Sequence, residues 1–190
     1  MQRFSSCITL FILCLVSVLL SSCSSLSAVD NIPPAESPKP AKPIVVAVPS
    51  YESRLPAQME TRGAKAILID PNVHAWGAYG PDNKLIRAGL VTAGANWCPD
   101  LGRPCHTRPG TFRVNSLGSA SCKSTLYPKP RGGSPMPYCM FFNGHQCLHG
   151  SYELAEANLS HGCVRMRVSD AEWLRFNFVN IGTKVIVKPY

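Results

Sequence analysis

Apolar residues in the second two thirds of the chain fall in short runs, each ended by Pro, Gly, Asn or Asp. That is the spacing of strands and turns rather than of long helices. Ala66-Ile67-Leu68-Ile69-Asp70 reads as a buried strand ending in a Pro71-Asn72 turn. His74 to Gly80 follows, then a Pro81-Asp82-Asn83 turn and Leu85 to Val91, which together predict a strand–hairpin meander. Further strands are predicted at Gly110 to Val114, Tyr138 to Asn143 and Thr183 to Val187. One amphipathic helix is predicted from Ser169 to Asn177. Ser169 would cap it, Asp170 and Glu172 would sit in its first turn, and Trp173, Leu174 and Phe176 would supply apolar contacts. The pattern predicts a mostly β domain with one helix over residues 63–190, large enough for a single core.

The preceding residues follow other rules. Arg3 and the apolar run from Ile8 to Leu20 have the layout of an export signal over residues 1–22, the run being short for a membrane span. Leu20-Ser21-Ser22-Cys23 resembles a lipobox, in which the cysteine is diacylated and becomes the mature N-terminus. A plain secretory signal and a short anchor are the alternatives. More than one acyl chain on Cys23 would anchor the protein stably. Ser24 stands where an inner-membrane retention signal carries Asp, which points to the outer membrane. Residues 23–62 contain Pro33, Pro34, Pro38, Pro40, Pro43, Pro49 and Pro56 and read as an extended spacer, with Ile44 to Val48 as a weak strand or a sticky tether.

Charge and cysteine content narrow the setting. The net charge is +8, and Arg3 is the one charge in the first 22 residues. Such a balance suits polyanionic neighbours; an export signal sets nucleic acid aside as a partner. Among nine cysteines, five lie outside the signal, the lipobox and the Ser160–Arg165 motif: Cys98, Cys105, Cys122, Cys139 and Cys147. An oxidising compartment favours bridges between them. Several pairings of the five are open, and local closure favours two: Cys98–Cys105 would close a Pro-Asp-Leu-Gly-Arg-Pro turn. Cys122–Cys139 would close a loop rich in Lys, Pro and Gly, and Cys147 would remain a buried thiol.

Ser160-His161-Gly162-Cys163-Val164-Arg165 carries the chemistry, together with His149-Gly150-Ser151. A cysteine after a glycine can present its own N–H and the Gly162 N–H to a developing oxyanion, and a nearby histidine can take the thiol proton. These are the parts of acyl transfer through a thioester. The pattern resembles the signature of the L,D-transpeptidases, cysteine enzymes that remodel bacterial peptidoglycan. The resemblance extends to Trp76 and Tyr79, to Thr107-Arg108-Pro109-Gly110-Thr111-Phe112, to Met136 through Phe142, to Asp170 through Leu174, and to Gly182-Thr183-Lys184-Val185.

The resemblance implies a β-sandwich of that family with one or two short helices, and no cofactor. Cys163 is then the nucleophile and His149 its base, an imidazolium favouring the thiolate. Gly162 and Cys163 form the oxyanion hole. His161, Ser160, Arg165, Gly150, Ser151 and Tyr138 shape the loop or contact substrate, with Arg165 gripping a carboxylate. The base is expected to be oriented through its second nitrogen by a carbonyl near Gly150 or Ser151. The partners implied are peptidoglycan stem peptides, a membrane through the lipid anchor, and a carbapenem as covalent inhibitor. With water as acceptor the same site is an L,D-carboxypeptidase. Two readings compete: a zinc site of His145, Cys147, His149 and Cys163, and a non-catalytic wall-anchoring lipoprotein.

Overall fold

A computed structural model describes residues 50–190. The export signal, Cys23 and the Ile44 to Val48 run lie outside the described residues. No helix among those described is long and apolar enough to cross a membrane.

The described chain is mostly β, with two mixed sheets and one short helix. The strands are β1 (Ala66–Asp70), β2 (Ala75–Tyr79), β3 (Leu85–Leu90), β4 (Gly110–Arg113), β5 (Ser116–Leu117), β6 (Met140–Asn143), β7 (Gln146–Gly150), β8 (Val164–Met166) and β9 (Lys184–Val187). The first sheet has the order β3-β2-β1-β9-β4, and the second β5-β6-β7-β8. β1 lies at the centre of the first, antiparallel to β2 and parallel to β9. That explains its unbroken burial: a central strand packed on both faces is apolar along its length, and the closing Asp70 is held by Lys188 at 2.7 Å.

Strand alternation divides the core. Ile67, Ile69, Trp76, Val185 and Val187 face the second sheet, meeting Met140, Phe142, Leu148, Val164 and Met166. Leu68, Ala75 and Tyr79 point the other way and are covered by Leu55, Tyr51 and Met59. The spacer read from the sequence as running to residue 62 therefore ends earlier. Tyr51–Arg54 forms a turn of 3-10 helix, Pro56 accepts a hydrogen bond from the Tyr79 hydroxyl at 2.8 Å, and Thr61 is fully buried against Asn83. The residues just before β1 cover this outer face of the sheet.

The helix also departs from its predicted form. α1 runs Val168–Trp173 and continues as a π-helical turn, Leu174–Phe178. Arg167, not Ser169, is at the cap, without a side-chain cap bond, because a single residue separates β8 from α1. The wider turn puts Leu174 and Phe178 in the core and leaves Phe176 exposed against Tyr138. Asp170 is buried and held by Arg87 at 2.6 Å, which lies over the Trp173 ring. β6 begins at Met140 rather than Tyr138, whose φ of 59° breaks the extended run. Sequence patterning did not reveal β5 or β8 as strands.

Candidate active site

β7 and β8 run parallel, with Leu148 opposite Val164 and His149 opposite Arg165. Leu148, Val164 and Met166 face the core between the sheets. By strict alternation Cys147 and His149 on β7, and Cys163 and Arg165 at and before β8, share the opposite face. That face is the floor of a cavity of about 790 Å³, lined among others by His149, His161, Gly162, Cys163 and Arg165.

Two cross-linked loops wall it. Cys98–Cys105 and Cys122–Cys139 are disulfides with Cα–Cα separations of 5.9 and 6.2 Å. The first loop contributes Asp100 and Arg103, and the second Lys123, Tyr127, Lys129 and Met136. His161 stands between them: its Nε2 meets the Asp100 carboxylate at 2.9 Å, and its ring stacks on Tyr127 at 4.4 Å.

His149 is almost fully buried. Its Nδ1 lies 2.8 Å from the Gly150 carbonyl, which can only accept, so Nδ1 carries the proton and Nε2 of the neutral ring is bare. Burial lowers its pKa to about 4; the Gly150 bond opposes the shift and Arg165 adds to it. A charged imidazolium paired with the thiolate at rest, as the sequence suggested, is therefore not the form this environment favours. A neutral acceptor is. The help for the thiolate comes from elsewhere: the Cys147 S–H points at Cys163 Sγ from 3.5 Å and holds the Cys163 thiol below its ordinary pKa.

The remaining predicted residues divide. Gly162 has a φ of 120°, open to glycine, and a β-carbon there would press on Gln146 at 3.2 Å. Its N–H donates to Ser160 Oγ at 3.1 Å, so of the expected oxyanion pair it is already engaged, and the Cys163 N–H remains. Ser160 is buried at the edge of the cavity, and its hydroxyl donates to the Cys163 carbonyl and so braces the turn. Tyr138 donates to Glu172 at 2.8 Å and is not among the residues lining the cavity. Its positive φ turns the chain away before β6 begins. Gly150 is packed against Val168 and Pro137, and acts through its carbonyl. Ser151 lines the cavity, its hydroxyl turned to the Glu153 backbone. Arg165 lines it too, 3.4 Å from Glu153. His145 stays in the β6–β7 turn. The ligand atoms that come within 4.8 Å of one another are those of Cys147, His149 and Cys163, one fewer than the zinc reading required.

Two residues to which the sequence reading gave no role at the site hold the cysteine turn in place. Thr107 is fully buried; its hydroxyl donates to Gly162 O at 2.9 Å and accepts from Gly94 N at 3.0 Å. Gln146 donates to His106 O and accepts from Arg108 N and Asn143. Each ties segments dozens of positions apart, which no local pattern reveals.

Comparison with known proteins agrees with this geometry. The family described as YkuD, the L,D-transpeptidase catalytic domain, matches residues 64–187. The fold is similar to the L,D-transpeptidase from Xylanimonas cellulosilytica (residues 123–326), with TM-score 0.61 and 24% identity over 72% of this chain and 66% of that one. It is also similar to an L,D-transpeptidase from Mycobacterium smegmatis, with TM-score 0.54 and 20% identity over 66% of this chain and 58% of that one. A third similar structure is L,D-transpeptidase 3 from Mycobacterium tuberculosis in complex with a faropenem-derived adduct, with TM-score 0.53 and 21% identity over 66% and 60%. The chain thus spans less than two thirds of each of these relatives. No curated protein matches it in sequence. With its family match running from the residue before β1's lead-in to the end of β9, through both sheets and the cysteine turn, the chain belongs to the L,D-transpeptidase catalytic domain family.

Proposed function

We propose that this protein is a peptidoglycan L,D-transpeptidase working through a Cys163 thioester. The observation that carries the reading is the single face of β7 and β8 that offers a thiol, a neutral histidine and an arginine to one open cavity. Cys163 attacks the carbonyl of a stem peptide between an L-centre and a D-residue. His149 Nε2 accepts the thiol proton and returns it to the departing amine of the D-amino acid. The Gly150 carbonyl keeps the ring in the tautomer this needs. The Cys163 N–H faces the developing oxyanion, and Arg165 receives a substrate carboxylate. An amine then takes the acyl group; with water instead, the outcome is carboxypeptidase hydrolysis.

Export, lipidation at Cys23 and residence at the outer membrane complete the proposal, and the lipobox-like Leu20-Ser21-Ser22-Cys23 supports them. Similar L,D-transpeptidases are described with imipenem, a carbapenem, and with a faropenem-derived adduct, and the same strained β-lactam carbonyl would meet Cys163 here, so carbapenems are expected to acylate it. The test is incubation with a disaccharide-tetrapeptide and, separately, a carbapenem, read by mass. Cross-linked product and one drug adduct on Cys163 are expected. A protein that forms neither, or forms both after Cys163→Ala, overturns the reading.

A further inference from the structure

Acyl transfer as derived leaves one reactive group on the cavity-floor face without a covalent task. Cys147 is fully buried, and its sulfur lies 3.5 Å from Cys163 Sγ. These two are the free cysteines among the described residues, while Cys98, Cys105, Cys122 and Cys139 are bonded in pairs. The juxtaposition is set by the backbone: the register that pairs Leu148 with Val164, continued one residue back, sets Cys147 beside Cys163. As packing, Cys147 fills a small apolar site against Met136, Cys139 and Phe141. Only a thiol there can react with its neighbour.

We propose that Cys147 is a resolving cysteine, which turns a peroxide-oxidised Cys163 into a Cys147–Cys163 disulfide and so switches the nucleophile off reversibly. This rests on the reading of Cys163 as the cavity's nucleophile. In the first step the Cys163 thiolate attacks one oxygen of hydrogen peroxide. The S–O bond forms, the O–O bond breaks, and the departing hydroxide takes a proton to become water. In the second step Cys147 attacks the Cys163 sulfur. The S–S bond forms, the S–O bond breaks, and hydroxide leaves as water with the Cys147 proton. Two thiols are oxidised and one peroxide is reduced to two waters.

Access and distance fit that order. Cys163 lines the open cavity, while Cys147 is shielded from solvent, so peroxide meets Cys163 first. Bonded sulfurs lie about 2.05 Å apart, so closure takes about 1.5 Å of travel from the present 3.5 Å, within reach of side-chain rotation. The S–H of Cys147 directed at Cys163 also favours ionisation of Cys163 over Cys147, the polarity that the first step requires. Without a resolving thiol, a sulfenic acid proceeds to sulfinic and sulfonic acids, which thiols do not reverse.

The test uses the full chain, with a chelator present so that a metal held by Cys147, His149 and Cys163 cannot protect the sulfurs. Untreated protein is first exposed to a carbapenem, and a second sample is treated with hydrogen peroxide before the drug. Peroxide should abolish the adduct, lower the intact mass by two hydrogens, and yield a linked Cys147–Cys163 peptide pair on non-reducing digestion. A mild thiol reductant should restore the adduct. Cys147→Ala should instead gain two or three oxygens on Cys163 and fail to recover. Wild-type protein that accumulates the same oxygens, or shows no such peptide pair, overturns the proposal, and this needs no variant to fold. Adduct without the pair leaves the acyl-transfer reading standing and removes the switch; the pair without an adduct does the opposite.

Discussion

Lowering the pH should weaken this fold through His149 by an amount the structure lets one work out. In the unfolded chain a histidine titrates near 6.5, whereas burial takes the folded His149 to about 4. Between those values the unfolded state binds a proton that the native state does not, so stability falls as pH falls through this window and is unaffected above it. The full difference corresponds to roughly 3 kcal/mol. Between about pH 7.5 and about pH 4.5, roughly 2.5 kcal/mol of it is lost. Urea denaturation of wild type and His149→Gln at both pH values isolates the effect, because every other titrating group is common to both proteins. The variant should lose about 2 kcal/mol less than wild type over that range, within the spread such linkages show. The same neutrality puts the acid limb of kcat/KM well below the usual histidine range. Equal pH dependence of stability in the two proteins, or an acid limb near 6.5, would refute the account of a buried neutral base.

Other outcomes follow from the packing. Leu55→Ala should cost about 2–3 kcal/mol in denaturant melts, since Leu55 covers Leu68, Ala75 and Tyr79, and removal of all residues before Gly63 should cost more. A truncated chain as stable as the full one would return residues 50–62 to the spacer. Opening Cys122–Cys139 as a double serine variant should lose on the order of 3 kcal/mol by loop entropy, read as a lower melting midpoint. Thr107→Val should cut drug acylation while leaving the circular dichroism spectrum unchanged, because it frees the Gly162 carbonyl and loosens the turn carrying Cys163. Unaltered acylation would show that the turn holds without it.

Much of the first sheet was legible in the chain. β1 matches its predicted run residue for residue, because an apolar stretch bounded by Gly and Pro at the middle of a sheet has few other uses. The pair Cys163 and His149 was legible as a motif, and residues 144–149 read as a strand end, yet the strand that follows Cys163 was not legible. His149, Gly150 and Arg165 have little strand propensity; the ladder between β7 and β8, and the bridge from Arg165 to Thr92, extend them. Cysteine spacing disclosed both disulfides, since short closures with little core of their own favour near partners. Hidden from the sequence were the braces, such as the bonds of Ser160 within its own turn. The charge state of His149 was hidden as well, because it depends on how much protein covers the ring.

The position of His161, gripping Asp100 with its nitrogen and Tyr127 with its ring, has a consequence for how substrate preference can be moved between relatives. Neither wall of the cavity is a free-standing module. A loop transplanted into the Cys122–Cys139 span arrives without the aromatic face that this imidazole expects, and the Asp100 wall then loses its brace although none of its own residues has changed. The shape of the cavity is thus transferable here only as a set: both loops together with the histidine that joins them.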